Sequence, residues 1–118
     1  MIGRSDGKHL GGVLKITPDM SQIPSTWLGY ISAVDVDDKV AAIVADGGRV
    51  YMPATDIPHA GRIAMVADPL GVPFYVMTPT PPPDAPDMTS DVFDRSAPQR
   101  VNWNELTSPD LAASKAFY

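Results

Sequence analysis

Cysteine is absent, which excludes a disulfide framework, a thiolate nucleophile and a zinc–thiolate site. Histidine is scarce, with only His9 and His59. Basic residues are outnumbered, nine Lys plus Arg against fourteen Asp plus Glu. The resulting net charge of −5 lacks the positive footprint that a phosphate backbone demands, so nucleic acid is not an expected partner. No apolar run approaches the length of a membrane span, and Met1 to Lys8 is too polar for a secretory core. A cytoplasmic protein without membrane association is the expectation. There is no Gly-rich phosphate loop, no Gly-x-Ser-x-Gly elbow and no His-Glu-x-x-His. What is present is a chain of 118 residues, 44% hydrophobic and 19% charged, enough apolar material for one small folded domain.

Six of the thirteen prolines (Pro79, Pro81, Pro82, Pro83, Pro86, Pro98) fall between Thr78 and Arg100. Residues 78–100 therefore read as an extended linker between a body, 1–77, and a tail, 101–118. Within the body, Leu10 to Ile16 has the composition of a strand, and Trp27 to Val34 is β-branched and aromatic. From Asp35 to Asp46, Val36, Val40, Ile43 and Val44 recur at helical spacing, with Asp35 as cap, Asp37 and Asp38 at the positive helix end, and Gly47-Gly48 as the stop. Three strands follow, over 49–52, 61–67 and 72–77, the last two joined by the turn Asp68-Pro69-Leu70-Gly71. The tail starts with a strand over 101–107 and a helix capped by Ser108, with Pro109 in its first turn. Trp27 to Ser32 and Trp103 to Ser108 share a five-residue spacing, which suggests an internal repeat.

Trp27-Leu-Gly-Tyr-Ile-Ser-Ala-Val-Asp-Val-Asp37, Gly47-Gly48, Pro53-Ala-Thr-Asp-Ile-Pro58 and Gly61 to Gly71, in this order, resemble the second half of a glyoxalase/bleomycin-resistance/dioxygenase domain, the vicinal oxygen chelate superfamily. Trp103 to Asp110 with Ala116-Phe117-Tyr118 resembles the opening of such a domain's first half. The resemblance implies an α+β fold of βαβββ modules, a curled mixed sheet around a cleft with helices outside. Residues 1–77 then hold the end of a first module and a complete second one, and 101–118 the first strand and helix of a module. That order is partial or circularly permuted: either the chain spans parts of two tandem domains, or the tail docks on its own body or on a partner in a swapped homodimer.

Metal-dependent members of the superfamily hold a divalent ion on His, Glu or Gln. The corresponding positions here fall at Trp103, Gly29 and Tyr75, and a one-residue slip brings in Asn102 or Asn104 and Tyr30. None suits a hard divalent ion, so no native metal, cofactor or catalytic residue is expected. His59 reads either as an exposed turn residue or, with Arg62, as a rim group. Asp37 and Asp38 read as helix-end charges rather than an acid–base pair. Alternation in Val72 to Met77 sets Tyr75 and Met77 on one face and Val72, Phe74 and Val76 on the other, so Tyr75 and Met77 face the cleft if the β-branched face meets the helices.

The expected function is a metal-free binding protein for a small apolar or aromatic molecule. Trp27, Trp103, Tyr75 and Met77 line its cleft, with Glu105 or Arg62 fixing orientation; Trp27 and Trp103 read equally as core packing between modules. Two alternatives stand beside it. One is a metal-dependent lyase, isomerase or ring-cleaving dioxygenase with Glu105 as one ligand. The other is a truncated or rearranged domain without activity.

Overall fold

An aspartate ahead of a helically spaced valine stripe makes α1 (Val36–Ala45): the Asp35 carboxylate accepts the Asp38 N–H at 3.0 Å, and Asp37 and Asp38 lie in the first turn. Val36 and Ile43 turn inward, whereas Val44 is exposed, so the buried stripe is narrower than the sequence spacing suggests. The helix closes with Gly47 N–H on the Val44 carbonyl and Gly48 N–H on that of Ile43. The computed structural model describes residues 1–18, 21 and 24–118, so residues 19, 20, 22 and 23 of the expected body lie outside the described residues.

The described chain divides into two units, Met1–Ser25 with Asp87–Pro109 and Thr26–Pro86 with Asp110–Tyr118. Residues 78–86 of the expected linker thus go with the second unit and 87–100 with the first.

In the second unit the elements run β3 (Tyr30–Ser32), α1, β4 (Arg49–Ile57), β5 (Gly61–Ala67), β6 (Pro73–Pro79) and α2 (Leu111–Phe117). The sheet order is β3-β6-β5-β4, with β3 parallel to β6 and the other pairs antiparallel. This is a βαβββ unit: the chain leaves β3, crosses through α1 to the far edge, and meanders back until β6 lies beside β3. The β5–β6 hairpin turns on Asp68, which is 1% exposed. Its carboxylate accepts the N–H groups of Leu70 and Val72 at 2.9 and 2.8 Å, so the buried charge is hydrogen-bonded and the turn is held from inside.

Strand alternation puts Ala64, Val66, Phe74 and Val76 on one face, where they meet Val36 and Ile43 in the core, with Val40, Ala54 and Phe117 packed against it. Each fully buried valine here stabilises the fold by roughly 1.5–3 kcal/mol. The carboxy-terminal segment adds to this face, since Phe74 meets Phe117 at 6.4 Å and Tyr118 at 5.7 Å between ring centroids. The cap of α2 is Asp110, which accepts the Ala113 N–H at 2.9 Å; the helix therefore starts two residues later than a Ser108 cap implies.

The first unit contains a short hairpin, β1 (Ile2–Gly3) with β2 (His9–Gly11), and a loop closed by the Phe93–Val101 bridge. Val13 and Leu14, in the expected strand 10–16, are each 77% exposed, and β2 ends before them. Of the expected strand 101–107 only Val101 forms a bridge; β-propensity alone makes no strand where no neighbouring strand offers a ladder. Among the described residues of this unit the one buried side chain is Arg4.

Candidate functional site

The sheet has a second face, opposite α1. The same alternation that buries Ala64, Val66, Phe74 and Val76 turns Ile63 and Met65 of β5 and Tyr75 and Met77 of β6 onto it. The ladder sets them in cross-strand pairs, Ile63 with Met77 and Met65 with Tyr75, and β4 adds Met52 opposite Met65. From the other side, the parallel register sets Tyr30 beside Tyr75 and Ser32 beside Met77. The two phenol rings stack with centroids 4.5 Å apart and planes 9° from parallel. Partial burial, with Tyr75 second, pushes the Tyr30 hydroxyl above the usual tyrosine range. The outcome is a shelf of two stacked aromatics flanked by methionines and isoleucine, with Ile63, Met65, Tyr75 and Met77 half-buried and Tyr30 exposed. Stacked phenols offer a flat contact surface, and thioethers adapt to what lies on it.

Tyr75 and Met77 thus occupy the face opposite the helix. Trp27, just before β3, is 81% exposed. Trp103 and Glu105 belong to the first unit, where the Trp103 indole N–H points at the Glu105 carboxylate from 3.5 Å. Arg62 is not on the shelf: it pairs with Thr78 in the ladder, and its guanidinium forks onto Asp37 at 2.6 and 2.9 Å and reaches Asp56 at 3.1 Å. That ion cluster ties β5 to the first turn of α1 and to β4, beside a groove of about 570 Å³ also bordered by His59 and Pro79. Hydrogen bonding to Arg62 holds the Asp37 carboxyl below the usual aspartate range and raises the guanidinium in turn. His59 is exposed at the tip of the β4–β5 turn with φ of +62°, where Ala60 N–H bonds the Ile57 carbonyl.

The positions that the family resemblance assigns to a metal just before β3 and on β6 are neighbours, since Tyr75 N–H donates to the Gly29 carbonyl at 2.9 Å. Neither residue brings an imidazole or carboxylate to that spot. Among the described residues no three His, Cys, Asp or Glu side chains converge as a metal site. Nor is any helix among them long and apolar enough to cross a membrane.

Sequence reading missed Tyr30, Ile63 and Met65 as members of the shelf. The alternation of β5 carried a signal for Ile63 and Met65. Tyr30 had none, because its place depends on the pairing of β3 with a strand 45 residues later in the ladder.

No family model matches the chain. It is 38% identical over 73 residues to a protein provisionally named glyoxylase CFP32 from Mycobacterium bovis, and likewise to its Mycobacterium tuberculosis counterpart, covering 62% of this chain and 27% of theirs. It is 30% identical over 100 residues to the anthracycline biosynthesis protein DauV of a Streptomyces species, covering 85% of this chain and 34% of that one. The chain therefore spans about a third or less of the length of the curated relatives it matches. A complete βαβββ unit in the sheet order β3-β6-β5-β4 and these relatives beside it support a place for the chain in the glyoxalase/bleomycin-resistance/dioxygenase superfamily.

Proposed function

We propose that this chain is a small-molecule-binding protein of the superfamily, holding a flat apolar or aromatic ligand against the open face of its sheet without a resident metal. The observation that carries the reading is the Tyr30–Tyr75 stack beside Met65 and Met77, a flat apolar surface on the face that α1 leaves open. A ligand laid there removes apolar area from water at about 25 cal/mol per Å², and ring stacking orients it. The name of the DauV relative, anthracycline biosynthesis, points to the same class of ligand, a fused planar ring system. The poor donors at Gly29 and Tyr75 support the metal-free part.

The shelf on the face opposite α1 and the outer edges of β3 and β4 also favour a homodimer, in which a second copy closes the cleft over the ligand. A native mass spectrum showing only monomer at micromolar concentration overturns that part.

The test of binding uses a hydroxyanthraquinone dye titrated against tryptophan fluorescence. Saturable binding that weakens at least tenfold in both Tyr75→Ala and Tyr30→Ala is expected. Absence of saturation, or indifference to Tyr75→Ala, overturns the reading.

The name of the CFP32 relatives favours a second reading, a metal-dependent lyase, isomerase or dioxygenase. Stoichiometric divalent metal in the purified protein supports it, and indifference to added Mn, Fe, Ni or Zn in a glyoxalase assay counts against it.

A further inference from the structure

The first unit is built around charge. Asp91 accepts Arg4 Nη1 at 2.9 Å, Arg4 Nη2 at 3.1 Å, Lys8 Nζ at 3.2 Å and Arg100 Nη2 at 3.2 Å. Arg4 also bonds the Asp6 carboxylate, and Arg100 approaches that carboxylate at 3.9 Å. Three cations therefore converge on two carboxylates, and Asp94 lies near enough to Arg100 to feel its charge. The Arg4 side chain is wholly buried, and its Nε has no hydrogen-bond partner among the described residues. Burying a guanidinium with a donor unmet is costly, and no apolar contact explains it, since no apolar residue described in this unit is buried. The geometry is that of oxyanion capture: an arginine fork takes two oxygens while two further cations close on one of them.

We infer that Arg4, Lys8 and Arg100 form a binding site for a small oxyanion, phosphate or a phosphate group on a larger molecule, in which the Asp91 carboxylate stands as an internal ligand. Asp91 begins the loop that the Phe93–Val101 bridge closes, with Val101 N–H on the Val92 carbonyl at 2.8 Å. An arriving oxyanion displaces one carboxylate from the cradle and leaves that loop intact. A phosphate carries more charge than Asp91 and at least one more oxygen, and so can meet the Arg4 fork, Lys8 and Arg100 with separate oxygens where the carboxylate shares one among them.

The test is calorimetry with inorganic phosphate and, separately, phenyl phosphate on the whole chain and on Asp91→Asn, which removes the internal charge at almost unchanged volume. At least tenfold tighter binding in Asp91→Asn is expected, abolished when Lys8→Ala and Arg100→Ala are added. A tighter constant for inorganic phosphate identifies the free ion as the ligand, and a tighter one for phenyl phosphate identifies a phosphate ester. A folded Asp91→Asn that binds neither at 10 mM, roughly the millimolar floor of weak affinities, overturns the proposal. If the variant does not fold, the unaltered protein decides by NMR. Phosphate must shift the Asp91 and Arg100 amide resonances beyond what chloride does at equal ionic strength, and identical shifts overturn the proposal.

Discussion

Gly61→Ala tests whether the β5–β6 contact that carries the shelf is as tight as described. Gly61 is buried at the start of β5 with φ of +136°, a conformation that side chains rarely adopt. Holding an alanine there costs about 1–3 kcal/mol in backbone strain. A Cβ would also fall within the radius of the Thr78 carbonyl oxygen and 2.8 Å from Pro79 Cα, both backbone atoms of β6 that no rotamer change moves aside. Forcing the strands apart adds about 1–3 kcal/mol. The sum, about 4 kcal/mol, is a large share of the 5–15 kcal/mol typical of a domain. At a urea slope of about 1.5 kcal/mol/M it lowers the unfolding midpoint by about 2–3 M. Gly71→Ala is the control, because φ there is +91° with no atom within 4 Å of the added carbon, so only the dihedral cost, about 1–2 kcal/mol, applies. Urea titrations followed by circular dichroism measure both. Equal midpoints for the two variants, or a loss below about 1 kcal/mol for Gly61→Ala, refute the packing argument.

A double-mutant cycle on Tyr30→Ala and Tyr75→Ala should return about 0.5–1.5 kcal/mol of coupling from the 4.5 Å stack; additive losses show that the rings do not meet in solution. Partial burial, with Asp68 second, pushes the Tyr118 hydroxyl up to about 12. A tyrosine raised in the folded state leaves stability untouched below pH about 10 and loses it as pH rises through the folded value. Ultraviolet titration should therefore find a late-ionising tyrosine that Tyr118→Phe removes, and a curve unchanged by that substitution contradicts the contact. Arg4 holds the Asp91 and Asp6 carboxyls below the usual range. Their support of the first unit is thus full above pH about 4 and lost as pH falls through the depressed folded values. Protection of the amides of residues 2–11, taken relative to their intrinsic exchange rates, should fall in acid, and the Asp91→Asn variant should lack most of that response; matching profiles in the two proteins exclude the clasp. Added salt should loosen the same residues, since the Lys8 and Asp91 side chains are about half exposed and are screened within about 10 Å.

The elements legible in the sequence are those specified by neighbours along the chain. Asp35 ahead of Val36, Val40 and Ile43 announces α1, Asp68-Pro69-Leu70-Gly71 announces the hairpin, and the alternation of 72–77 says which of Phe74 and Tyr75 shares a face with Met77. Caps, turns and strand alternation act over a few residues, so local chemistry determines them wherever they sit. The order of strands and helix from Trp27 to Met77 followed from such signals, and with it the βαβββ reading. The weaker expectations lacked a partner rather than a propensity. Residues 10–16 and 101–107 have strand composition, yet beyond Gly11 and Val101 no neighbouring strand offers their backbone a ladder.

Three matters were decided only by the tertiary structure. Tyr30 stacks on Tyr75 because the crossover through α1 returns β6 beside β3, and no local pattern encodes which strand becomes a neighbour. Arg62 shares its strand face with Ala64 and Val66, but that it meets Asp37 and Asp56 there depends on the crossover that sets the first turn of α1 and the end of β4 beside β5. Arg4 meets Asp91 across 87 positions of sequence, a contact between two charges that read singly as ordinary surface residues. Pairing over such separations depends on the energy of the whole assembled unit, so each side chain's role emerges only when the strands and loops that carry it have met.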